Sequence, residues 1–441
     1  MFHRVIVIGG SVAGLLAARA LRDHAEHVTV LERDRYPGGP DARRGVPQGR
    51  HVHIFVTGGQ RALETLLPGS AEALAAAGAV RLELPRDLLS CARNGWERRY
   101  PDDRHHLLSC TRPLLEQVVR RQVLAACPAL EVREDCAATG LIGDGTAVTG
   151  VRTAAGDLTA DLVVDASGRG SRSPQWLAEL GLAVPREERI DAGLAYATRL
   201  FRLPAGTAPD HGVYVQHTPA SPRGGALLPV EGGHHLVTLI GVGGDRPTTD
   251  AADFLPFARS LRDPYLARLL ADAEPLTPVH GSRSTVNIRR RYEETPAPGF
   301  LAAGDALCAY NPVYGHGVSI AALGAAALRQ ALDAGAPSGA RLQGALAGTA
   351  DRAWLLASGA DLPYDPQAPA PGRRERLGSW YAQRFLDRAA HDPALGAAYR
   401  DVFCLTAPLE RLAAPRLALR TLLLPRRAGG EAPPLEVGTP G

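Results

Sequence analysis

Lysine is absent: all 49 basic residues of the 441-residue chain are arginine. That excludes chemistry needing a side-chain amine, such as a pyridoxal Schiff base, a P-loop lysine or a lysine-dependent flavin halogenase. Cysteine is scarce and unpatterned. Cys91, Cys110, Cys127, Cys136, Cys308 and Cys404 form no CxxC pair and no His/Cys ligand spacing, so structural zinc and a disulfide framework are not expected. They read as buried free thiols, which suits a reducing cytoplasm. The pairs His105-His106 and His234-His235 have no further ligands at metal spacing, and no metal is expected. A strong charge of one sign is missing too. The 49 basic and 46 acidic residues leave +3, with the arginines dispersed, so no nucleic-acid footprint is visible. Long apolar runs are also lacking. Val5 to Ile8 is too short for the core of an export signal. The span from Ala306 to Leu328 lacks Asp, Glu and Arg, but Asn311, Pro312, Gly315, His316 and Gly317 break it. Its helix, starting near Val318, is too short to cross a bilayer.

What is present describes a folded protein: 45% hydrophobic and 22% charged residues over a length that suggests about three structural units. Arg4 to Ile8 reads as a buried strand, Gly9 to Gly14 as a tight turn, Leu15 to Leu21 as a helix and His27 to Glu32 as a second strand, a βαβ opening. Asp41 to Gly59 reads as a long loop without a clear period. Pro113 to Ala126 is helical in spacing. Leu130 to Ala166 alternates like several strands turning at Gly143–Gly145 and Ala155–Asp157. Strand-like runs then cover Ala192 to Phe201, Gly212 to Gln216 and His234 to Ile240. Phe300 to Ala303 is again a strand, followed by a loop and the helix Val318 to Leu332. The remaining residues read as Ala-, Leu- and Arg-rich helices with a break at Pro363 to Pro371, and Gly429 to Gly441 as a frayed end.

Three motifs carry chemistry. Gly9-Gly10-Ser11-Val12-Ala13-Gly14 has the G-x-G-x-x-G form with Ser in the second glycine position, between a strand and a helix. Such a turn lets backbone N–H groups and the helix dipole meet a pyrophosphate, and Ser11 can cap the helix. Glu32 follows at the end of the second strand, where a carboxylate accepts hydrogen bonds from ribose hydroxyls. This motif alone does not separate FAD from NAD. The second motif, Leu162-Val163-Val164-Asp165-Ala166-Ser167-Gly168-Arg169-Gly170-Ser171, is an apolar strand ending in an acidic, glycine-bearing turn. The third is Phe300-Leu301-Ala302-Ala303-Gly304-Asp305, then Asn311-Pro312-Val313-Tyr314-Gly315-His316-Gly317 before a helix. Asp305 can hold a ribityl hydroxyl, and the helix amides can approach a flavin edge. The 290 residues separating Gly14 from Gly304 suit FAD, with its ribityl chain and ring, better than NAD.

The order of these motifs resembles the group A flavoprotein monooxygenases of the p-hydroxybenzoate hydroxylase fold. Arg44-Gly45-Val46-Pro47-Gln48-Gly49-Arg50-His51-Val52-His53, Asp191-Ala192-Gly193-Leu194-Ala195-Tyr196-Ala197-Thr198-Arg199-Leu200-Phe201 and Asn311 to Gly317 are similar to the polyene epoxidases of polyether ionophore pathways, the monensin and lasalocid type. A weaker likeness covers Asp272 to Val279 and Gly281-Ser282-Arg283-Ser284. The resemblance runs from about residue 5 to about residue 335. It implies an α/β (α+β overall) fold: an FAD-binding Rossmann-like domain in two parts, 1–173 and 284–335, an inserted β-rich substrate domain at 174–283 and a helical region at 336–441. It also implies that Gly9, Ser11, Val12, Ala13 and Gly14 face the FAD pyrophosphate, and Glu32 and Arg33 the adenosine side. Arg112 would reach the phosphate or ribose, Asp165 and Asp305 would anchor the cofactor, Arg44 would contact a swinging flavin, and Pro312, Gly315 and Gly317 would let the backbone approach the ring.

In that family a reduced flavin reacts with O2, and the C4a-hydroperoxide is itself the electrophile, so the protein's main task is to exclude water. The expected device is an apolar chamber, with Tyr196, Phe201 and Tyr214 as candidate lining. No side chain is assigned a catalytic role. His51, His53 and His316 read as structural histidines before polar contacts. Gly241-Val242-Gly243-Gly244 leads into Asp245, Arg246 and Pro247 rather than a helix, so NAD(P)H is expected to dock transiently on the FAD surface. The expected activity is NAD(P)H- and O2-dependent epoxidation of a small apolar polyene or polyketide. The rivals are a flavin hydroxylase of an aromatic polyketide, a geranylgeranyl-reductase-like alkene reductase, and a flavin- or lipid-binding carrier without turnover.

Overall fold

The computed structural model describes residues 1–207, 209–283, 285–335 and 338–438. Ser284 of the quoted motif and residues 439–441 of the terminal segment lie outside the described residues. β-Branched runs such as Val5-Ile6-Val7-Ile8 form strands buried on both faces, as parallel sheets require. Five strands pair in parallel in the order Phe300–Ala302, Leu162–Asp165, Phe2–Ile8, Ala25–Leu31 and Glu131–Arg133. The helix Val12–Arg22, rich in Ala and Leu, buries Leu15, Leu16, Ala18 and Leu21. It packs beside the Ala-rich helix Gly317–Asp333, whose Gly324 faces Leu346 and Thr349 of the helix Gly339–Asp361 on another side. The register sets the chemistry: Ile8 lies opposite both Leu31 and Asp165, and Asp165 opposite Ala302. The carboxyl ends of the strands that precede the three motifs therefore share one edge of the sheet.

A second, eight-stranded sheet is built mainly from Leu194–Arg202, His234–Val242, Arg223–Val230 and Gly212–Val215. It also takes Leu88–Ala92 and Gly95–Trp96 from an earlier part of the chain, outside the 174–283 range expected for it. Its strands obey a period of two. Ala197, Phe201, Val213, Val215, Val237 and Leu239 cover one face, packed on the helices Ala251–Arg259 and Tyr265–Leu269. Tyr196, Thr198, Tyr214, Thr238 and Ile240 occupy the other, toward the parallel sheet.

The sequence-based loop at 41–59 is only partly a loop. Pro47–Arg50 forms one 3₁₀ turn, Ile54–Val56 pairs with His106–Ser109, and a helix starts at Thr57. A three-residue strand is too short to show a period. Helices Gly339–Asp361, Arg373–Ala389, Pro393–Phe403 and Pro415–Leu423 form the C-terminal region. The expected fraying of residues 429–438 is corrected by the structure. Gly429 N–H donates to Asn94 O at 2.8 Å, Trp96 N–H to Gly430 O at 3.0 Å and Gly438 N–H to Arg99 O at 2.9 Å, so this segment covers the edge of the second sheet. Among the described residues, no helix is long and apolar enough to cross a membrane.

Candidate active site

The glycine turn is dictated by contact. Gly9 has φ +100°, and a Cβ there would lie 2.5 Å from Ala166 O; a Cβ on Gly14 would lie 1.8 Å from Gly9 O. Ser11 does not cap the helix as its position suggested. Its hydroxyl donates to Glu116 Oε2 at 3.0 Å and accepts from Arg112 Nη2 at 3.0 Å. The first-turn N–H groups, which no helix can satisfy internally, are thus left to an anion. Arg112 is buried beside them, and its Nε has no hydrogen-bond partner among the described residues. The adjoining surface cleft is lined by Pro37, Gly39, Arg43, Gly49, Arg112 and Arg120.

Glu32 is buried where the second strand ends. Its Oε2 accepts Gly10 N–H at 2.8 Å, and its Oε1 accepts Asp34 N–H at 2.9 Å and pairs with Arg43 at 2.9 Å. Arg43 also pairs with Glu116 at 2.7 Å and Asp34 at 3.2 Å. Burial works against its charge, but Glu116 and Glu32 outweigh that and hold the guanidinium firmly protonated. The sequence reading passed over Arg43 in favour of its neighbour. Arg44 is exposed, while Arg33, also exposed, ties the loop by donating to Gly45 O at 3.1 Å.

Asp165 is not a free anchor. Its carboxylate accepts Ser167 N–H at 2.9 Å, Ser171 Oγ at 2.5 Å and Ser173 Oγ at 2.6 Å, and so organises its own turn. Asp305 is different: its carboxylate takes no hydrogen bond or ion pair from the protein among the described residues. Burial raises its pKa, opposed by the charges of Arg169, Arg112 and Arg290. Gly317 lies beside it, with a built Cβ 3.8 Å from Asp305 Oδ1, and Gly304 abuts Ala13 of the first motif. Two motifs far apart in sequence thus meet. Pro312 begins a 3₁₀ turn that ends at Gly315, φ +67°, pressed against Ile54.

A buried polar network holds this loop. Asn311 donates through Nδ2 to Asp361 Oδ2 at 2.8 Å and through its N–H to Asn287 Oδ1 at 2.7 Å, while Asn287 Nδ2 reaches the same Asp361 oxygen at 2.6 Å. Tyr314 donates its hydroxyl to Asp361 Oδ1, and Tyr196 donates its own to Asn311 Oδ1 while accepting Val313 N–H at 2.8 Å. Tyr196 therefore ties the second sheet to the loop, instead of simply lining a chamber. Tyr214 packs nearby with Tyr364 and Val313. Phe201 is five residues on from Tyr196, an odd step, so it faces the opposite side and packs on Phe254. It does not line this space.

Sequence reasoning also missed Glu97. Its N–H donates to Ser90 O at 2.9 Å, and Ser90 lies opposite Tyr214, so Glu97 starts a row that continues through Tyr214, Ala226, Thr238 and Thr198 on one face. Burial raises its pKa. Strand parity could have placed it, once the 88–96 hairpin was assigned to this sheet. The face is more polar than an apolar chamber requires: His51 Nδ1 lies 2.8 Å from Thr198 Oγ1, itself 2.7 Å from Thr238 Oγ1.

The histidines are held neutral. Burial pushes His51, His217 and His316 down to about 4, helped at His51 by the charges of His280 and Arg50, and His53 down to about 3. His53 faces Gln48 O at 2.8 Å, and His316 Nε2 donates to Phe403 O at 2.9 Å, which docks the 393–403 helix. The unfolded chain, with histidine near pH 6.5, takes up more protons than the folded one across this interval. Stability is therefore full above about pH 6.5 and is lost as pH falls toward 4, on the order of 3 kcal/mol per histidine. The midpoint of thermal unfolding should fall over that window, and His316→Gln, which keeps a donor for Phe403 O, should flatten the fall. An equal acid sensitivity in the variant would contradict this account. Away from this site, at the opposite ends of their strands, His3, Glu26 and His27 bring three ligand-type side chains together on the exposed surface.

A glycine turn, a buried arginine with a spare donor and a free carboxylate at one sheet edge define a dinucleotide-binding oxidoreductase of the flavin type, and these residues fit FAD. The chain belongs to the FAD dependent oxidoreductase family, whose model matches residues 4–234. It is 32% identical over 415 residues to Protein Rv3254 of Mycobacterium tuberculosis (strain ATCC 25618 / H37Rv), covering 88% of this chain and 87% of that one. It is 29% identical over 345 residues to kynurenine 3-monooxygenase of Salinispora arenicola (strain CNS-205), covering 72% and 70%. Its fold is similar to the flavin-dependent brominase Bmp2, with TM-score 0.66, 16% identity and coverage of 95% and 97%. PqsL of Pseudomonas aeruginosa, described as a probable FAD-dependent monooxygenase, gives TM-score 0.61, 16% identity and coverage of 92% and 100%.

Proposed function

We propose that the protein is an FAD-dependent monooxygenase that uses NAD(P)H and O2 to epoxidise an alkene of a small apolar polyene or polyketide. The observation that carries this reading is the meeting of the glycine turn, Arg112 and Asp305 at one sheet edge, across from a sheet face joined to the same loop by Tyr196. Bound there, FAD supplies the redox chemistry and the activation of O2. The first-turn N–H groups and Arg112 would bind its phosphates, Asp305 would orient its ribityl side, and the 311–317 loop, held by Asp361 and Tyr196, would face its ring side. NAD(P)H docks transiently on the same surface.

Epoxidation needs no base on the substrate, whereas hydroxylation of a phenol profits from one. The histidines and tyrosines on this side do not suit that task near neutral pH, which leaves Glu97 as the carboxylate of the row that a hydroxylase would use. His51, His217 and His316 are held down to about 4, burial pushes Tyr214 up to about 12, and Tyr196 is raised as well. The likeness to a brominase is one of fold, and the chain has no lysine. A second reading, hydroxylation of an aromatic polyketide ring, draws on Thr198, Thr238 and His51, which can hold a polar end of a ligand.

The test is to incubate holoprotein with NADPH and an isolated triene such as farnesyl acetate under labelled oxygen. An epoxide carrying one labelled atom is expected. A hydroxylated ring from a phenol panel with no triene turnover would select the second reading, and a saturated product formed without O2 would select an alkene reductase.

A further inference from the structure

The C-terminal helices carry more apolar surface than their packing uses. Helix 373–389 buries Phe385 and packs Tyr381 and Ala389 against Leu395, Ala398 and Leu417. That stripe satisfies its amphipathic requirement. Its first turns are left uncovered, with Leu377, one turn before Tyr381 on the same face, 65% exposed and Trp380 beside it 50% exposed. On helix 415–423, Leu419, Leu422 and Leu423 are 58%, 45% and 72% exposed. The two uncovered patches join: Arg384 lies over the Trp380 ring at 5.7 Å and donates through Nε to Thr421 O at 3.0 Å and through Nη2 to Leu422 O at 2.7 Å.

The charge around them is one-sided. Residues 373–427 hold eleven arginines and five acids, a surplus of six in a chain whose total is +3, and no acid occurs from 412 to 430. Arg373, Arg374, Arg376, Arg416, Arg426 and Arg427 are all exposed. Large apolar patches on a soluble fold mark docking surfaces. Two copies of this face would bring like charges together, which disfavours self-association.

We propose that this face docks the protein on the surface of an anionic lipid bilayer, with its leucines and Trp380 at the headgroup boundary and its arginines on lipid phosphates. The inference is independent of the reaction assigned above. It also explains why the face is apolar and basic at once, a combination that neither solubility nor packing requires.

The test uses the 441-residue holoprotein with vesicles of phosphatidylcholine alone or mixed with an equal part of phosphatidylglycerol. Co-sedimentation with the anionic vesicles is expected, weakening as salt is raised. Trp380 is the built-in reporter, because Trp96, Trp176 and Trp354 are buried. Its emission should shift to the blue on binding, and Trp380→Phe should remove the shift while most binding survives. Leu419→Ser with Leu423→Ser should weaken binding about tenfold, and Arg416→Gln with Arg427→Gln should reduce the salt dependence. Circular dichroism and retained FAD check that the variants are folded. No binding to anionic vesicles, equal binding to neutral ones, or a stable dimer dissolved by the leucine substitutions would each overturn the proposal.

Discussion

Gly14→Val is expected to give folded protein that purifies without FAD. Even the first carbon of the new side chain would meet Gly9 O at 1.8 Å and Val7 Cγ1 at 3.3 Å, and neither the backbone carbonyl nor the central strand can yield cheaply. The start of the 12–22 helix must then move off the turn, which withdraws the N–H groups from the phosphate position. Affinity for FAD should fall by at least a hundredfold, about 3 kcal/mol, read from the flavin absorbance per protein and from titration of the apoprotein. Arg112→Ala leaves the turn intact and should lose about tenfold, close to the value of one charge-assisted hydrogen bond. A Gly14→Val protein with full FAD content would show that the turn is not the phosphate site.

Asp361→Ala carries the largest expected loss of stability. Asp361 is fully buried and accepts from Asn287, Asn311 and Tyr314. Removing it strands three buried donors, at a cost of about 3 to 5 kcal/mol, measurable as a shift in the urea midpoint. Asp361→Asn keeps one acceptor oxygen and should lose less than half as much. The loop from Asn311 to Gly317 should loosen in the alanine variant, so added NADPH should yield more free peroxide per substrate oxidised. A midpoint unchanged within about 1 kcal/mol would mean that the donors find other partners.

The elements that sequence reasoning located best are those with strong local signals. The Val5 to Ile8 run, the glycine turn and the Ala- and Leu-rich helix of the βαβ opening depend on neighbours in sequence, and they lie where expected. What was less legible depends on the third dimension. Arg43 and Arg44 are adjacent and chemically identical. Only the closing of the 33–50 loop over Glu32 and Glu116 decides that Arg43 is the buried one. Phe201 was grouped with Tyr196 by chemistry, although parity on one strand separates them. Asp165 looked like Asp305 at a strand end, but three partners in its own turn consume its oxygens. The 429–438 segment is Gly- and Pro-rich and looks loose, but it pairs with an edge strand over 300 residues away in sequence.

The strand register has a consequence for biogenesis. The edge proposed to hold the cofactor is assembled from Phe2–Ile8, Leu162–Asp165 and Phe300–Ala302, so two thirds of the polypeptide must leave the ribosome before the last of them can join. The 4–234 portion that defines the family still lacks Asp305 and the loop after it. Pairings so distant close slowly. The nascent chain must therefore stay unaggregated without help from its prosthetic group, and riboflavin starvation should act on the finished polypeptide, not on its synthesis.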